Sequence, residues 1–344
     1  MGLIDYKGLF KNENALTYEF LPKILPYREN EQQEIARAIK PVMDGRDGRN
    51  LLIYGPPGIG KTAATRAVLR ELEEKSDIYP LYINCWKHNT SYKTVIELCH
   101  QAGYMLTANK NTNELMEKLA SILNKQGSVI VLDEADRLED HELLYSLQED
   151  LYKKSLIMIT NHKEWYASLD QRLRSRIIPT EIEFKPYTRD EIKGILLQRI
   201  EYAFLPGTWD IEALELVVDK THEARDVRIG LFLLREAGRI AEELFSKRVE
   251  KQHIERAMSR LPEFTATSEE LGEDDKKILE IVRKHPGERI GKLYEIYKQE
   301  GGNISYKTFQ RRIDRLAKGK YISIKKTHSG GTSTIIDTKI SDYE

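Results

Sequence analysis

The sequence predicts an α/β protein: a doubly wound parallel sheet, then an all-helical segment, then a small module of three helices and a hairpin. Two observations carry the first part. Short apolar runs at residues 51–54, 78–84, 128–132, 156–159 and 182–184 recur between stretches of helical period. Near-continuous apolar runs suit strands buried on both faces, and their alternation with helices suits right-handed crossovers. The third observation is charge. The chain of 344 residues carries a net charge of −1, but residues 276–344 hold 16 Lys/Arg against 8 Asp/Glu, so that stretch has +8 and the remainder −9. An acidic body with a basic C-terminal module points to a polyanionic partner.

Composition sets the outer bounds. Hydrophobic residues make up 40% and charged residues 32%, enough apolar content for sizeable cores and more charge than usual. The length suggests two or three domains. Cys85 and Cys99 have no metal-ligand spacing and fit a reducing compartment. The N-terminus begins no secretory signal, and no run of 18 apolar residues exists. The expectation is a soluble, cytoplasmic protein with no membrane partner.

Taken in order, residues 21–30 form an extended arm punctuated by Pro22 and Pro26, and residues 31–43 a helix with Ile35, Ala38 and Ile39 on one face. The strand at residues 51–54 then runs straight into Gly55-Pro56-Pro57-Gly58-Ile59-Gly60-Lys61-Thr62, followed by a helix from Ala63. Gly55, four residues, then Gly60-Lys61-Thr62 is the spacing of a phosphate-binding loop. Glycines allow successive N–H groups to curl round a phosphate. Lys61 reaches the outer phosphates, and the Thr62 hydroxyl can hold Mg²⁺. The helix N-terminus adds its dipole.

Residues 92–103 and 109–125 read as helices, and the apolar strand 128–132 ends in Asp133-Glu134-Ala135-Asp136. Carboxylates at the C-terminal end of a buried strand lie where open α/β sheets bind ligands. Asp133 would support Mg²⁺, and Glu134 would orient or activate an attacking water. The bland alternative is the acidic first turn of the next helix. Asn161, just past the strand at 156–159, could meet a γ-phosphate or the water, or simply cap a turn.

Residues 188–262 hold no strand candidate; helices read at 189–202, 211–220, 226–245 and 249–260, with a Ser/Thr/Glu linker from 261 to 272. The C-terminal module reads as helices at 274–284, 291–300 and 306–318, then a hairpin of residues 321–325 and 333–336 around Ser329-Gly330-Gly331-Thr332. That order is a winged helix. Phe309, Ile313 and Leu316 would pack inward, while Lys307, Gln310, Arg311, Arg312 and Arg315 offer a groove-facing surface, with Ser329 to Thr332 as the wing tip. A basic helix face is often only solvated; the glycine-tipped hairpin and the +8 charge favour double-stranded DNA.

The phosphate loop at Gly55–Thr62, the Leu132-Asp133-Glu134-Ala135-Asp136 stretch and Asn161, in that order, resemble those of an AAA+ ATPase. Leu25-Pro26-Tyr27-Arg28-Glu29, Phe184-Lys185-Pro186-Tyr187 and Asp226-Val227-Arg228 narrow the resemblance to archaeal replication initiators of the origin-recognition-complex and cell-division-control type. It runs from about residue 16 to the C-terminus. The resemblance implies an α/β nucleotide-binding domain at 1–186, a helical lid at 187–262 and a winged helix at 273–344. It implies ATP or ADP with Mg²⁺ as cofactors, the loop from Gly55 to Ala63 as the cradle, and Arg28 beside the adenine. Tyr187, Arg199 and Arg228 would touch the nucleotide from the lid side, Arg228 sensing the γ-phosphate. An interfacial arginine acting in trans would come from Arg172, Arg174 or Arg176, with Arg176 preferred. The segment from His88 to Lys110 resembles an initiator-specific helical wedge that touches DNA. Arg225 stands where the family usually has Gly.

The function expected is that of a chromosome-associated, ATP-dependent initiator. It binds origin DNA and helps recruit or load the MCM replicative helicase alongside paralogous initiator subunits, with weak ATP hydrolysis as the switch. The alternatives are another DNA-associated ATPase, such as a clamp-loader subunit or transposition helper, and a nucleotide-locked DNA-binding protein with little turnover.

Overall fold

A computed structural model describes residues 8–261, 273–318, 322–327 and 333–338. The chain separates into two compact units, residues 1–260 and 261–344.

The first unit opens with α1 (Glu29–Met43), β1 (Leu51–Tyr54), α2 (Lys61–Lys75) and β2 (Tyr79–Asn84). It continues through α3 (Ser91–Gln101), α4 (Thr112–Leu123), β3 (Ser128–Asp133), α5 (Glu142–Asp150) and β4 (Lys154–Thr160). Then come α6 (Glu164–Ser168), α7 (Gln171–Ile177) and β5 (Thr180–Glu183). The five strands form one parallel sheet in the order β2-β3-β4-β1-β5. Every residue of β3 and β4 is buried, as two-sided helical cover demands. Leu81, Ile83, Ile130, Leu132, Leu156 and Met158 pack against Leu98, Leu115, Leu119 and Leu123 of α3 and α4. Cys85 and Cys99 are both free and lie in this core.

Local chemistry explains several boundaries. α1 starts two residues before the expected Glu31, because Arg28 leaves the extended arm with its side chain already anchored and Glu29 enters the first turn. α4 begins on a capping box in which Asn111 accepts from the Glu114 N–H and Glu114 accepts from that of Asn111. The acidic cluster after β3 does not start a long helix. Ala135–Arg137 make a single 3₁₀ turn, and α5 waits until Glu142.

The helical part of the first unit comprises α8 (Arg189–Ala203), α9 (Ile211–Ala224), α10 (Val227–Glu243) and α11 (Lys251–Ser259). α10 carries its buried face on Ile229, Leu233, Leu234, Ala237, Ile240 and Ala241, a helical stripe. Its expected end at Phe245 comes earlier. Phe245 takes a positive φ of 54° and is exposed. The arm before α1 is tied to this part: Glu242 accepts from the Leu9 N–H at 2.5 Å and from that of Phe10 at 3.3 Å.

The second unit holds α12 (Glu273–Lys284), a two-residue β6 (Glu288–Arg289), α13 (Ile290–Gln299), α14 (Tyr306–Lys318), β7 (Ile322–Thr327) and β8 (Ser333–Thr338). Its sheet is antiparallel, in the order β6-β8-β7. β6 was not expected from the sequence; two residues are too short for a period to show. Ile278, Ile281, Val282, Leu293, Tyr297, Phe309, Ile313, Leu316 and Ile322 form its core. Truncating a buried aromatic such as Phe309 to Ala would cost about 3–5 kcal/mol. Most of the linker expected at 261–272 and the wing tip, Ser329 to Thr332, lie outside the described residues.

A candidate nucleotide site and a candidate DNA surface

The C-terminal ends of β1, β3 and β4 open into a cavity of about 420 Å³, roofed by the arm around Tyr18 to Pro26 and by α8 and α10. The loop after β1 forms its floor. Gly55 has φ 145°, and a Cβ there would stand 2.3 Å from the Phe184 carbonyl oxygen. Gly58, at φ 72°, would place a Cβ 1.9 Å from Asp226. Glycine is required at both by backbone angle and by space. α2 starts on Gly60 without a side-chain cap, so its first-turn N–H groups are available to an anion.

Lys61 is buried, and its ammonium donates to the Gly55 and Pro56 carbonyls, each at 2.7 Å, and to Asn161 Oδ1 at 2.8 Å. Burial pulls its pKa down to about 8, against the opposing pull of Asp133. The structure therefore brings Lys61 and Asn161 together across two strands. Thr62 donates to Asp133 Oδ2 at 2.7 Å, and Tyr82 donates to the same oxygen at 2.5 Å. Asp133 Oδ1 accepts from the Glu134 N–H at 3.1 Å. Burial and the Asp133 charge push the Tyr82 phenol far up, so it remains a donor. Glu134 lines the cavity at φ 55°, ψ 47°. A non-glycine residue held there is strained by about 1–3 kcal/mol, and such strain clusters at functional sites.

The arginines divide. Arg228 lines the cavity, and its guanidinium is bonded to Asp226: Nε lies 3.0 Å from both oxygens and an Nη 2.6 Å from Oδ2. That pairing holds its pKa above the usual arginine value. Arg199 also lines the cavity but donates to the Ala15 carbonyl at 3.0 Å and the Phe20 carbonyl at 3.2 Å, fastening the arm to α8. Burial draws its pKa down to about 10.

Arg28, expected beside the adenine, is not among the residues that line the cavity. It lies behind the loop, donating to the Ile59 carbonyl at 3.2 Å and the Lys185 carbonyl at 2.6 Å, with its guanidinium 3.9 Å from the centre of the Tyr187 ring. A buried guanidinium takes the backbone acceptors that a loop and a hinge leave open. Its neighbours Leu25 and Pro26 line the cavity instead, as does Tyr187. Arg176 is outside the cavity; it pairs with Glu149 and stacks 4.8 Å over the Tyr145 ring. Tyr82, Asn84 and Arg66 line the cavity without having been expected there. A period-2 reading of β2 would have placed Tyr82 and Asn84 on one face.

In the second unit α14 presents Lys307, Gln310 and Arg311 outward, opposite the buried Phe309, Ile313 and Leu316. Arg312 departs from the expectation. It turns in towards α12, bonding Asp275 at 2.8 Å and Asp274 at 3.2 Å, and Asp275 is fully buried. A buried carboxylate needs a cation, and Arg312 is placed to supply it. The Arg315 side chain lies outside the described residues. In the first unit, the segment between α3 and α4 exposes Met105 and Leu106 at its tip. Lys93, in the first turn of α3, donates to Asn89 Oδ1 at 3.2 Å.

Known proteins match this geometry along its length. The AAA domain model fits residues 44–161, and the Cdc6 AAA+ ATPase-type lid domain model fits residues 193–259. The ORC1-type DNA replication protein 2 of Methanothermobacter thermautotrophicus is 30% identical over 363 residues, spanning 98% of this chain and 94% of that protein. The ORC1-type DNA replication protein 1 of Aeropyrum pernix is 32% identical over 317 residues, spanning 85% of this chain and 80% of that one. The structure of the Aeropyrum pernix ORC1 protein in complex with DNA aligns with a TM-score of 0.81 at 28% identity, covering 96% and 94% of the two chains. Cdc6p from Pyrobaculum aerophilum shares the fold, with a TM-score of 0.68 at 18% identity over 96% and 95%. A phosphate-loop site roofed by helices, matched from end to end by such relatives, places the chain in the family of ORC1-type DNA replication proteins, the Orc1/Cdc6 initiators of archaea.

Proposed function

We propose that this initiator is an ATP-controlled protein that binds duplex origin DNA, acting with the MCM replicative helicase and with paralogous initiator subunits on the chromosome. The observation that carries the reading is the contact of Lys61 with Asn161 beside the Thr62–Asp133 pair, at the C-terminal edge of the sheet. ATP or ADP would displace the carbonyls and Asn161 from the Lys61 ammonium and take the N–H groups of the loop from Gly55 to Ala63. Residues 1–186 would form the body and 187–262 the lid, with Tyr187 and Arg228 closing over the nucleotide and Arg199 holding in place the arm that roofs it.

A hydroxyl and a carboxylate directed at one another suit Mg²⁺, which draws its remaining oxygens from phosphates and water. Among the described residues no cluster of three His, Cys, Asp or Glu makes a complete metal cage. Thr62 and Asp133 would hold the ion, whose chemistry is to neutralise charge developing on the phosphates. Glu134 would accept a proton from the attacking water, and Asn161 would orient it. Slow turnover fits the Asp226 lock on Arg228 and the distance of Arg176 from its own site; Arg176 would serve a neighbouring subunit in trans.

DNA would meet Lys307, Gln310, Arg311 and Arg315 of α14, the wing tip from Ser329 to Thr332, and the Met105–Leu106 wedge. The Aeropyrum pernix ORC1 protein, whose structure is of a complex with DNA, supports this, as does the +8 charge of residues 276–344. Three helices and a hairpin, rather than a helical collar, favour an initiator over a clamp-loader subunit. Nitrocellulose filter binding to duplex DNA tests the reading. Affinity should fall steeply with salt and be lost on deleting residues 273–344; retention after that deletion contradicts it. Among the described residues no helix is long and apolar enough to cross a membrane.

A further inference from the structure

Asp133 accepts three hydrogen bonds, and they are not equivalent. Its Oδ1 is held by the N–H of Glu134. Its Oδ2 is shared by Thr62 at 2.7 Å and Tyr82 at 2.5 Å. If Thr62 turns its hydroxyl oxygen to a cation, that oxygen of Asp133 keeps one side-chain donor, the phenol of Tyr82.

Tyr82 is itself unusually well fixed for a residue on an edge strand. β2 is an edge strand of the sheet, paired among the described residues with β3 alone. On its open edge the side-chain amide of Gln101 replaces a neighbouring strand: Gln101 Oε1 accepts from the Tyr82 N–H and Gln101 Nε2 donates to the Tyr82 carbonyl, both at 2.9 Å. Above the ring lies the Arg66 guanidinium, 4.2 Å from its centre. Arg66 is one turn beyond Thr62 on α2, so the helix that carries Thr62 also clamps the tyrosine. Backbone, ring and hydroxyl of Tyr82 are thus each held by a different element.

We propose that Tyr82 is a positioning residue for the divalent cation that accompanies the nucleotide: its phenol sets the Asp133 carboxylate in the orientation that receives the ion and keeps it there once Thr62 has turned away. The inference rests on the reading that Thr62 and Asp133 hold the cation. Partners that orient a metal-binding carboxylate are commonly worth about 10–100-fold in metal affinity. Tyr82→Phe is the informative change, because it keeps the ring under Arg66 and removes one hydroxyl.

The measurement is the affinity of the full chain for a fluorescent ATP analogue, by anisotropy, in EDTA and across a Mg²⁺ titration. For Tyr82→Phe the EDTA affinity should match wild type within about twofold, while the Mg²⁺ concentration giving half of the metal-dependent gain rises about tenfold. Gln101→Leu, which frees the Tyr82 backbone and keeps the hydroxyl, should shift the same midpoint in the same direction by less. A thermal melt without nucleotide establishes that each variant is folded. If the midpoint stays put in Tyr82→Phe while wild type responds to Mg²⁺, the role of Tyr82 is overturned and the cation site stands. If wild type shows no response to Mg²⁺, both fall. Equal losses with and without Mg²⁺ would make Tyr82 a packing residue and overturn the proposal.

Discussion

Arg228, which lines the cavity, forms a closed pair with Asp226, both carboxylate oxygens lying within 3.0 Å of the guanidinium. Asp226 also caps α10, accepting from the Arg228 N–H at 2.9 Å, and the Val227 N–H reaches the Gly58 carbonyl at 3.2 Å. A γ-phosphate that recruits Arg228 must therefore compete with a carboxylate already in place. Asp226→Asn keeps a good cap and removes the competing charge. Its preference for ATP over ADP should rise several-fold, read from the ratio of dissociation constants. Arg228→Ala should erase most of that preference.

Gly58 sets how closely loop and α10 approach. Gly58→Ala introduces a Cβ 1.9 Å from Asp226 at a φ of 72°. It should lower the melting temperature and weaken binding of ATP and ADP alike. Equal affinity for both nucleotides in the variant and wild type would show that the loop tolerates separation.

Lys61 gives the site a proton signature. Its pKa is drawn down to about 8 by burial, from an ordinary value of 10.5. Its neutral form is therefore favoured in the folded protein, a stabilisation fully present above pH 10.5 and lost as pH falls through about 8. A bound phosphate favours the charged form and raises the pKa again. ATP binding in EDTA near pH 8 should then take up about half a proton per site, falling away towards pH 7. Calorimetry in buffers of different ionisation enthalpy reads it directly, and Lys61→Ala should abolish both the uptake and most of the binding.

On α14, Arg311 and Arg312 are neighbours in sequence with opposite expected phenotypes. Arg312→Met strands the buried Asp275 and should destabilise the second unit by about 3–5 kcal/mol, with Asp275→Leu in the same chain restoring much of it. Arg311→Ala should leave the melt unchanged, weaken duplex binding, and reduce the salt slope by about one if it contacts a phosphate.

Much of this was legible in the chain. The glycine spacing before Lys61-Thr62, the apolar run into Asp133, and the three apolar positions of α14 each express a local rule: backbone angle, two-sided burial, helical period. Those rules act over a few residues, so the parallel sheet, the helical part and the hairpin-bearing second unit could all be anticipated. End-to-end resemblance then supplied the family.

Tertiary structure decided what each charged side chain faces. Arg28, Arg199 and Arg312 read alike as basic residues near a site. Yet one is spent on the Ile59 and Lys185 carbonyls, one on those of Ala15 and Phe20, and one on Asp275. Tyr82 and Asp133 are 51 residues apart and meet through one oxygen. Local periodicity fixes which face of an element is buried, because burial repeats every two or 3.6 residues. It does not fix which buried polar group will need a partner, because that need arises only when distant segments pack and exclude water.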